Sequence, residues 1–341
     1  MHVRIKILNL PTKPTVLSAF TVKPYQSADA AIWNDFVTRS KNGTFLFDRG
    51  FMDYHADRFE DMSLMVFDGA KLVALFPLHK KGNVAQSHWG LTYGGLVCDR
   101  KFKLKQVLFA LKAVLGFLSD TGIEALQVKT IPAIYNQYPS DELLYALFVS
   151  DARLFRRDSL SVIDLRKPFS ISKTRRESIR RGEKNGLEIR EDGDLALFWD
   201  EILIPNLANK HQVKPVHSLD EIRLLQERFP ENIRHFNVYK KDKIVAGTTV
   251  FVTDTVAHPQ YISGNQDKNE LGSLDFLYHF LISDVFRDKP FFDFGISNEE
   301  GGKKLNEGLV FWKESFGAST ITQDFYEVCT KNHHLLDNVL I

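Results

Sequence analysis

Residues 261–327 constrain the fold of this chain most, because strand, turn and helix signals follow one another closely there. A strand over 258–263 runs into a polar loop ending at Gly272, and an apolar helix over 274–286 follows. A second strand, Phe291-Phe292-Asp293-Phe294-Gly295-Ile296-Ser297, leads through a Gly-rich loop to the stretch 309–317. A strand that opens through a glycine into a helix leaves backbone N–H groups free at the helix start. Those groups and the helix dipole suit a phosphate or another anion.

The chain has 341 residues, more than one ordinary domain of roughly 100–200 residues, so two domains of similar size are expected. With 44% hydrophobic and 26% charged residues the composition is globular, and 27 phenylalanines supply two cores. A net charge of +1 leaves any contact with nucleic acid or membrane to a local patch. Cys98 and Cys329 match no metal spacing; a disulfide stays open, with a reduced, cytoplasmic protein as the expectation. No leader-like apolar segment and no run of 18 apolar residues occurs, so no transmembrane segment is expected. The apolar helix over 107–118 carries Lys112 and reads as a core helix.

Both halves show a similar order of elements. The first predicts a strand over 3–8, helices over 30–40 and 48–59, and a hairpin of 63–67 with 71–78 around Asp68-Gly69. Strands over 84–88 and 93–98, a helix over 104–119, a strand over 123–130, a helix over 141–149 and a strand over 159–165 follow. The second predicts helices over 172–184, 195–210 and 219–229, the last with Ser218 and Glu221 at capping-box spacing. Strands over 235–240, 243–253 and 255–263 come next. The boundary falls near Arg166-Lys167-Pro168, giving units of 1–165 and 166–341.

Three stretches carry candidate chemistry. Residues 166–191 hold nine Lys/Arg and four Glu, and Arg176, Arg180 and Lys184 share one helical face. That face either binds a phosphate or is a solvated surface balanced by its own glutamates. Around His88-Trp89-Gly90-Leu91-Thr92-Tyr93-Gly94-Gly95, the glycines permit close approach, His88 can take a proton near pH 7, and Trp89 and Tyr93 can stack on a sugar or base. The alternative is a Gly-rich turn with His88 in a structural hydrogen bond. Gly301-Gly302-Lys303-Lys304 reads either as an anion cradle using Lys304 or as a surface loop. No P-loop, His-Glu-x-x-His, Cys-x-x-Cys or Gly-x-Ser-x-Gly occurs, and no metal is expected.

Lys243-Ile244-Val245-Ala246-Gly247, Asp293-Phe294-Gly295, and Phe311 to Gly317, with the basic stretch from Ser172, resemble the Fem-type branch of the GCN5-related N-acetyltransferase (GNAT) superfamily. The stretch around Pro77 and Ser87 to Leu96 is similar to members associated with bacterial surface-polysaccharide synthesis. The resemblance implies a mixed α/β fold of two tandem GNAT-like domains, each a mostly antiparallel mixed sheet flanked by helices. It departs at Gln266-Asp267-Lys268-Asn269-Glu270-Leu271-Gly272-Ser273, where the family's pyrophosphate loop carries more glycine and no such acids. It also lacks the long coiled-coil arm of members that read tRNA.

The implied activity is transfer of an acyl group from acetyl-CoA or another acyl-CoA to an amine. The implied acceptor is a phosphate-bearing, nucleotide- or lipid-linked amino sugar, bound by Trp89, Tyr93, Arg176, Arg180 and Lys304. Coenzyme A would contact Asn265, Leu271, Gly272 and Ser273, and the oxyanion donors would come from a splayed strand over 259–265. Tyr261 is a candidate acid, Asp293 a base if burial raises its pKa, and His88 a proton acceptor. A structural tyrosine and a structural carboxylate remain the alternatives. Two other functions stay open: an aminoacyl-tRNA-dependent transferase on a peptidoglycan precursor, and a non-catalytic binding module.

Overall fold

A computed structural model describes residues 20–211 and 214–341; the strand expected over 3–8 lies outside the described residues. Among them, one mixed sheet of 11 strands runs through both halves of the chain. Its second-half wing is Leu187–Arg190, Ile233–Lys240, Lys243–Val252, Val256–Gly264 and Phe291–Ile296, in that spatial order. Arg153–Asp164 comes next, then Ser319–Cys329, then Ala125–Lys129 and three short strands of the first half. A separate four-stranded sheet holds Thr21–Pro24, the hairpin Leu64–Asp68 with Lys71–Phe76, and Val97–Cys98.

Most neighbouring strands are antiparallel, and each half also contains a parallel pair joined through a helix. Val84–Gln86 crosses over by helix Leu104–Asp120 to Ala125–Lys129, and Val256–Gly264 by helix Ser273–Phe280 to Phe291–Ile296. Such a crossover needs a helix to span the sheet face, and both helices bury their apolar side on it. The mixed α/β architecture with a repeated grammar in its two halves is the one the sequence implied. The final strand, Ser319–Cys329, leaves the second half and pairs with Arg153–Asp164 and Ala125–Lys129. Val328 and Leu336 are buried there in the core built on helix Leu104–Asp120.

Local differences have local causes. The expected helix over 48–59 is one α-turn, Arg49–Met52, capped by Asp48 and followed by a 3-10 turn, Asp53–His55. The helices expected over 195–210 and 274–286 each contain a π turn, Trp199–Leu203 and Leu281–Val285. Of the strand expected over 93–98 only Val97–Cys98 forms, and 89–93 instead lines a cleft. Ser218 and Glu221 make the expected capping box. Cys98 and Cys329 are free thiols. Among the described residues no helix is long and apolar enough to cross a membrane.

Candidate active site

The cleft begins with a proline. Pro259 has no N–H to give, and Gln260 is an extra residue between the pairs Thr249–Tyr261 and Val250–Pro259. The parallel pairing with the 291–296 strand covers only Val256–Phe291 and Ala257–Phe292, and beyond them the two strands separate. Two cavities share the opening. One, of about 370 Å³, faces the first half and is lined by Trp89, Tyr93, Tyr135, Arg156, Asp293 and Phe325 among others. The other, of about 820 Å³, lies against helix Ser273–Phe280 and helix Glu307–Glu314. His258, Gln260, Gly295 and Ile296 border both.

At this junction His258 turns Nδ1 toward Asp293, 3.0 Å from its carbonyl oxygen and 3.5 Å from Oδ2. Tyr135 donates its hydroxyl to Asp293 Oδ2 at 2.7 Å, and the Gly295 N–H donates to Oδ1 at 2.7 Å. Burial alone would push the Asp293 carboxyl up. Hydrogen bonding and charge from His258, with the bonds from Tyr135 and Gly295, outweigh it and hold the carboxyl below its usual range. Asp293 is therefore an ionised orienting group, and the expectation that burial raises its pKa is reversed. With Nδ1 committed, Nε2 is the ring nitrogen left to accept a proton. The side-chain oxygen of Gln260, which borders the same two cavities, is buried and has no hydrogen-bond partner. Gly295 has φ +73°, and a side chain there would meet the His258 ring at 3.0 Å. Lys313 donates to the carbonyls of Gly295 and Ile296 at 2.9 and 2.7 Å, fixing the strand end; its own burial pushes it down to about 8.

No family model and no curated protein matches the sequence. Solved structures do match the fold. FemX superposes with a TM-score of 0.63 at 10% identity, over 93% of this chain and 99% of that one. The C-terminal domain of a putative lysylphosphatidylglycerol synthetase from Agrobacterium fabrum matches at 0.59 and 16%, over 88% and 91%. L-PGS from Bacillus licheniformis matches at 0.58 and 15%, over 92% and 94%. The chain has the Fem-type fold.

Within this Fem-type frame the expected site residues divide. Trp89 and Tyr93 line the smaller cavity. Trp89 stacks on Phe155 at 6.5 Å and meets Phe325 edge-on at 6.3 Å, while buried Tyr93 donates to Thr44 at 3.0 Å. His88 does not reach the cavity. It is buried with His55, His79 and Phe59, and that burial drives its pKa to about 3, so it accepts no proton near pH 7. Tyr261 lines neither cavity. Its ring packs on Trp199 at 4.9 Å, its hydroxyl accepts the His217 N–H at 3.1 Å, and burial raises its pKa; it is a core residue, not an acid at the junction.

The expected coenzyme A contacts do not form a cradle. Leu271 and Ser273 are buried, and a Cβ on Gly272 (φ +71°) would lie 2.2 Å from the Ser178 carbonyl. Asn265 builds the turn, its side-chain oxygen accepting the Asp267 N–H at 3.1 Å. Asp275 borders the larger cavity from the first turn of its helix, held by Arg175 at 2.6 Å and Trp312 at 2.8 Å. Leu271, Gly272 and Ser273 line neither cavity, and the buried Ser273 hydroxyl has no hydrogen-bond partner. Arg176 and Arg180 are exposed and border neither cavity; Arg176 donates to the Ile171 carbonyl. Exposed Lys304 pairs with Glu300 at 2.7 Å, also away from both. From that basic helix it is Arg175 that reaches the cleft.

Sequence reasoning missed His258, Gln260 and Tyr135. The available signal was a histidine and a glutamine flanking a proline on a strand already expected to splay. Tyr135 carried none, because its partner Asp293 is 158 residues away.

Proposed function

We propose that this chain is an N-acyltransferase that uses His258 as its general base. One observation carries the reading: His258, backed by the buried Asp293, and Gln260, whose side-chain oxygen has no partner, border both cavities. Gln260 would accept one amine N–H while His258 Nε2 removes a proton. The amine nitrogen then bonds to the acyl carbon, the bond from that carbon to the leaving oxygen or sulfur breaks, and the imidazolium returns its proton to the leaving group. The division into units of 1–165 and 166–341 is part of the proposal; on it the acceptor cavity draws on both.

The smaller cavity suits an amino sugar. Trp89 offers an aromatic face beside the Arg156–Asp158 pair, and Gln323 borders the same space. This supports an amino-sugar precursor of cell-surface polysaccharide, modified in the cytoplasm, as acceptor. The donor would occupy the larger cavity. The closed first turn of helix Ser273–Phe280 disfavours a coenzyme A diphosphate bound there. A second reading, an aminoacyl donor carried on tRNA, gains from that closure and from fold relatives named for making lysylphosphatidylglycerol.

The test is a turnover assay of amino-sugar nucleotides with acyl thioesters, and separately with aminoacyl-tRNA, using wild type and His258→Gln. Loss of turnover in a folded His258→Gln protein supports the base. RNase-sensitive turnover selects the second reading. Unchanged turnover in His258→Gln rejects the mechanism.

A further inference from the structure

The larger cavity holds information about the acyl group itself. Several polar side chains deep in its wall are engaged by protein, while Gln260, Lys268, Asn269 and Asn306 border the rest of it. Arg175 donates to Asp275 at 2.6 Å and to Ser315 at 3.0 Å, and Trp312 donates to Asp275 at 2.8 Å. Asn206 donates to Ser263 Oγ at 2.7 Å and to the Gly264 carbonyl at 2.6 Å, while Lys313 holds two carbonyls of the 291–296 strand. Leu203, Leu207, Ile262, Leu274, Phe294 and Ile296 form its apolar part. The space, about 820 Å³, is more than twice the 370 Å³ of the acceptor side. At its mouth Ile296 and Leu309 are 40% and 37% exposed, so the apolar wall continues to the surface.

An acetyl group would leave most of this apolar volume unfilled. An aminoacyl group would bring an ammonium, yet the bordering carboxylate of Asp275 is already held by a guanidinium and an indole. A chain of methylenes satisfies the wall without needing a polar partner. Resting on the N-acyltransferase reading, we infer that the larger cavity holds an apolar acyl chain of the fatty-acyl class, with its thioester carbon at the His258 junction. The same chain can arrive on coenzyme A or on a carrier protein, whose thioester arm brings no diphosphate.

The experiment uses the full chain and N-acetylcysteamine thioesters of acetyl, octanoyl and dodecanoyl groups, with a lysyl thioester as the polar control. Affinity is read by calorimetry. The expected result is a gain of about fourfold per added methylene until the cavity is full. Ile262→Trp should abolish that gain, and Leu309→Asp, at a position 37% exposed, should weaken it about tenfold for dodecanoyl alone. Equal affinity for acetyl and dodecanoyl, or tightest binding of lysyl, overturns the inference. Dodecanoyl-CoA and a dodecanoyl carrier protein then serve as donors: faster turnover than the acetyl counterpart with either supports it and identifies the source, and with neither overturns it. The two readings fail separately. His258→Gln with full turnover sinks the base but not the chain-length dependence, and turnover of acetyl donors with no chain preference sinks the chain but not the base.

Discussion

The two wings of the sheet treat histidine differently: the first buries three together, and the second leaves His258 half-buried at the edge of a cleft. In the first half His55, His79 and His88 crowd around Phe59, and His55 has no hydrogen-bond partner on either ring nitrogen. Burial drives His55 to about 4 and His88 to about 3 from the usual 6.5, so both are neutral packing groups. In the second half His258 has an ionised carboxylate behind Nδ1 and a cavity on either side. Desolvation without a partner silences a histidine; the role proposed for His258 rests on the opposite setting, a carboxylate behind the ring and open space in front.

The sharpest way to break this contrast is to exchange the same atoms at both places. His258→Gln is expected to lower turnover by roughly 10²–10⁴-fold, the usual range for a general base, while His88→Asn changes it less than about threefold. Steady-state kinetics on folded proteins decides. Asp293→Asn comes next, with an expected loss of roughly 10–100-fold, since it leaves His258 in place but frees its orientation. A kcat unchanged by Asp293→Asn would show that the carboxylate is structural.

Acid stability probes the other wing. The folded pKa values of His55 and His88 lie below the unfolded value of 6.5, so the unfolded chain binds more protons between them. Stability from these residues is complete above pH 6.5 and is lost as pH falls toward 4 and 3, by on the order of a few kcal/mol. Tm measured from pH 7 to pH 4 should fall, and His55→Leu should flatten the slope. The smallest effect belongs to the basic helix: Arg176→Ala with Arg180→Ala should alter kcat/KM less than about twofold. A larger change would return phosphate recognition to that face.

Much of the fold was legible because its signals are short-range. The Ser218–Glu221 capping box, the Asp68-Gly69 turn and the alternation within 243–264 each lie within a few residues of what they specify. The site was legible in part. Trp89, Tyr93 and Asp293 do border the cleft, but the sequence points to His88 and not to His258, because His88 sits among glycines and aromatics that look like a binding loop. In space those neighbours seal it: His55 and Phe59 close over its ring, and the loop's own Trp89 takes the cavity side. Tyr261 and Gln260 show the same limit one residue apart, since the bulge at Gln260 decides which side chain meets the opening.

By itself the sequence determined the element order and the repeated strand-helix-strand grammar, because capping, turn chemistry and hydrophobic period act over a few residues; its resemblance to the Fem-type branch implied the rest of the fold. Only the tertiary structure decided which histidine meets Asp293 and whether the turn at Gly272 stays open. It also set how large and how apolar the space beside His258 becomes. Those outcomes depend on Tyr135 reaching Asp293 across 158 residues and on Ser178 closing over Gly272. Charge, desolvation and close packing act between residues that the chain brings together only by folding.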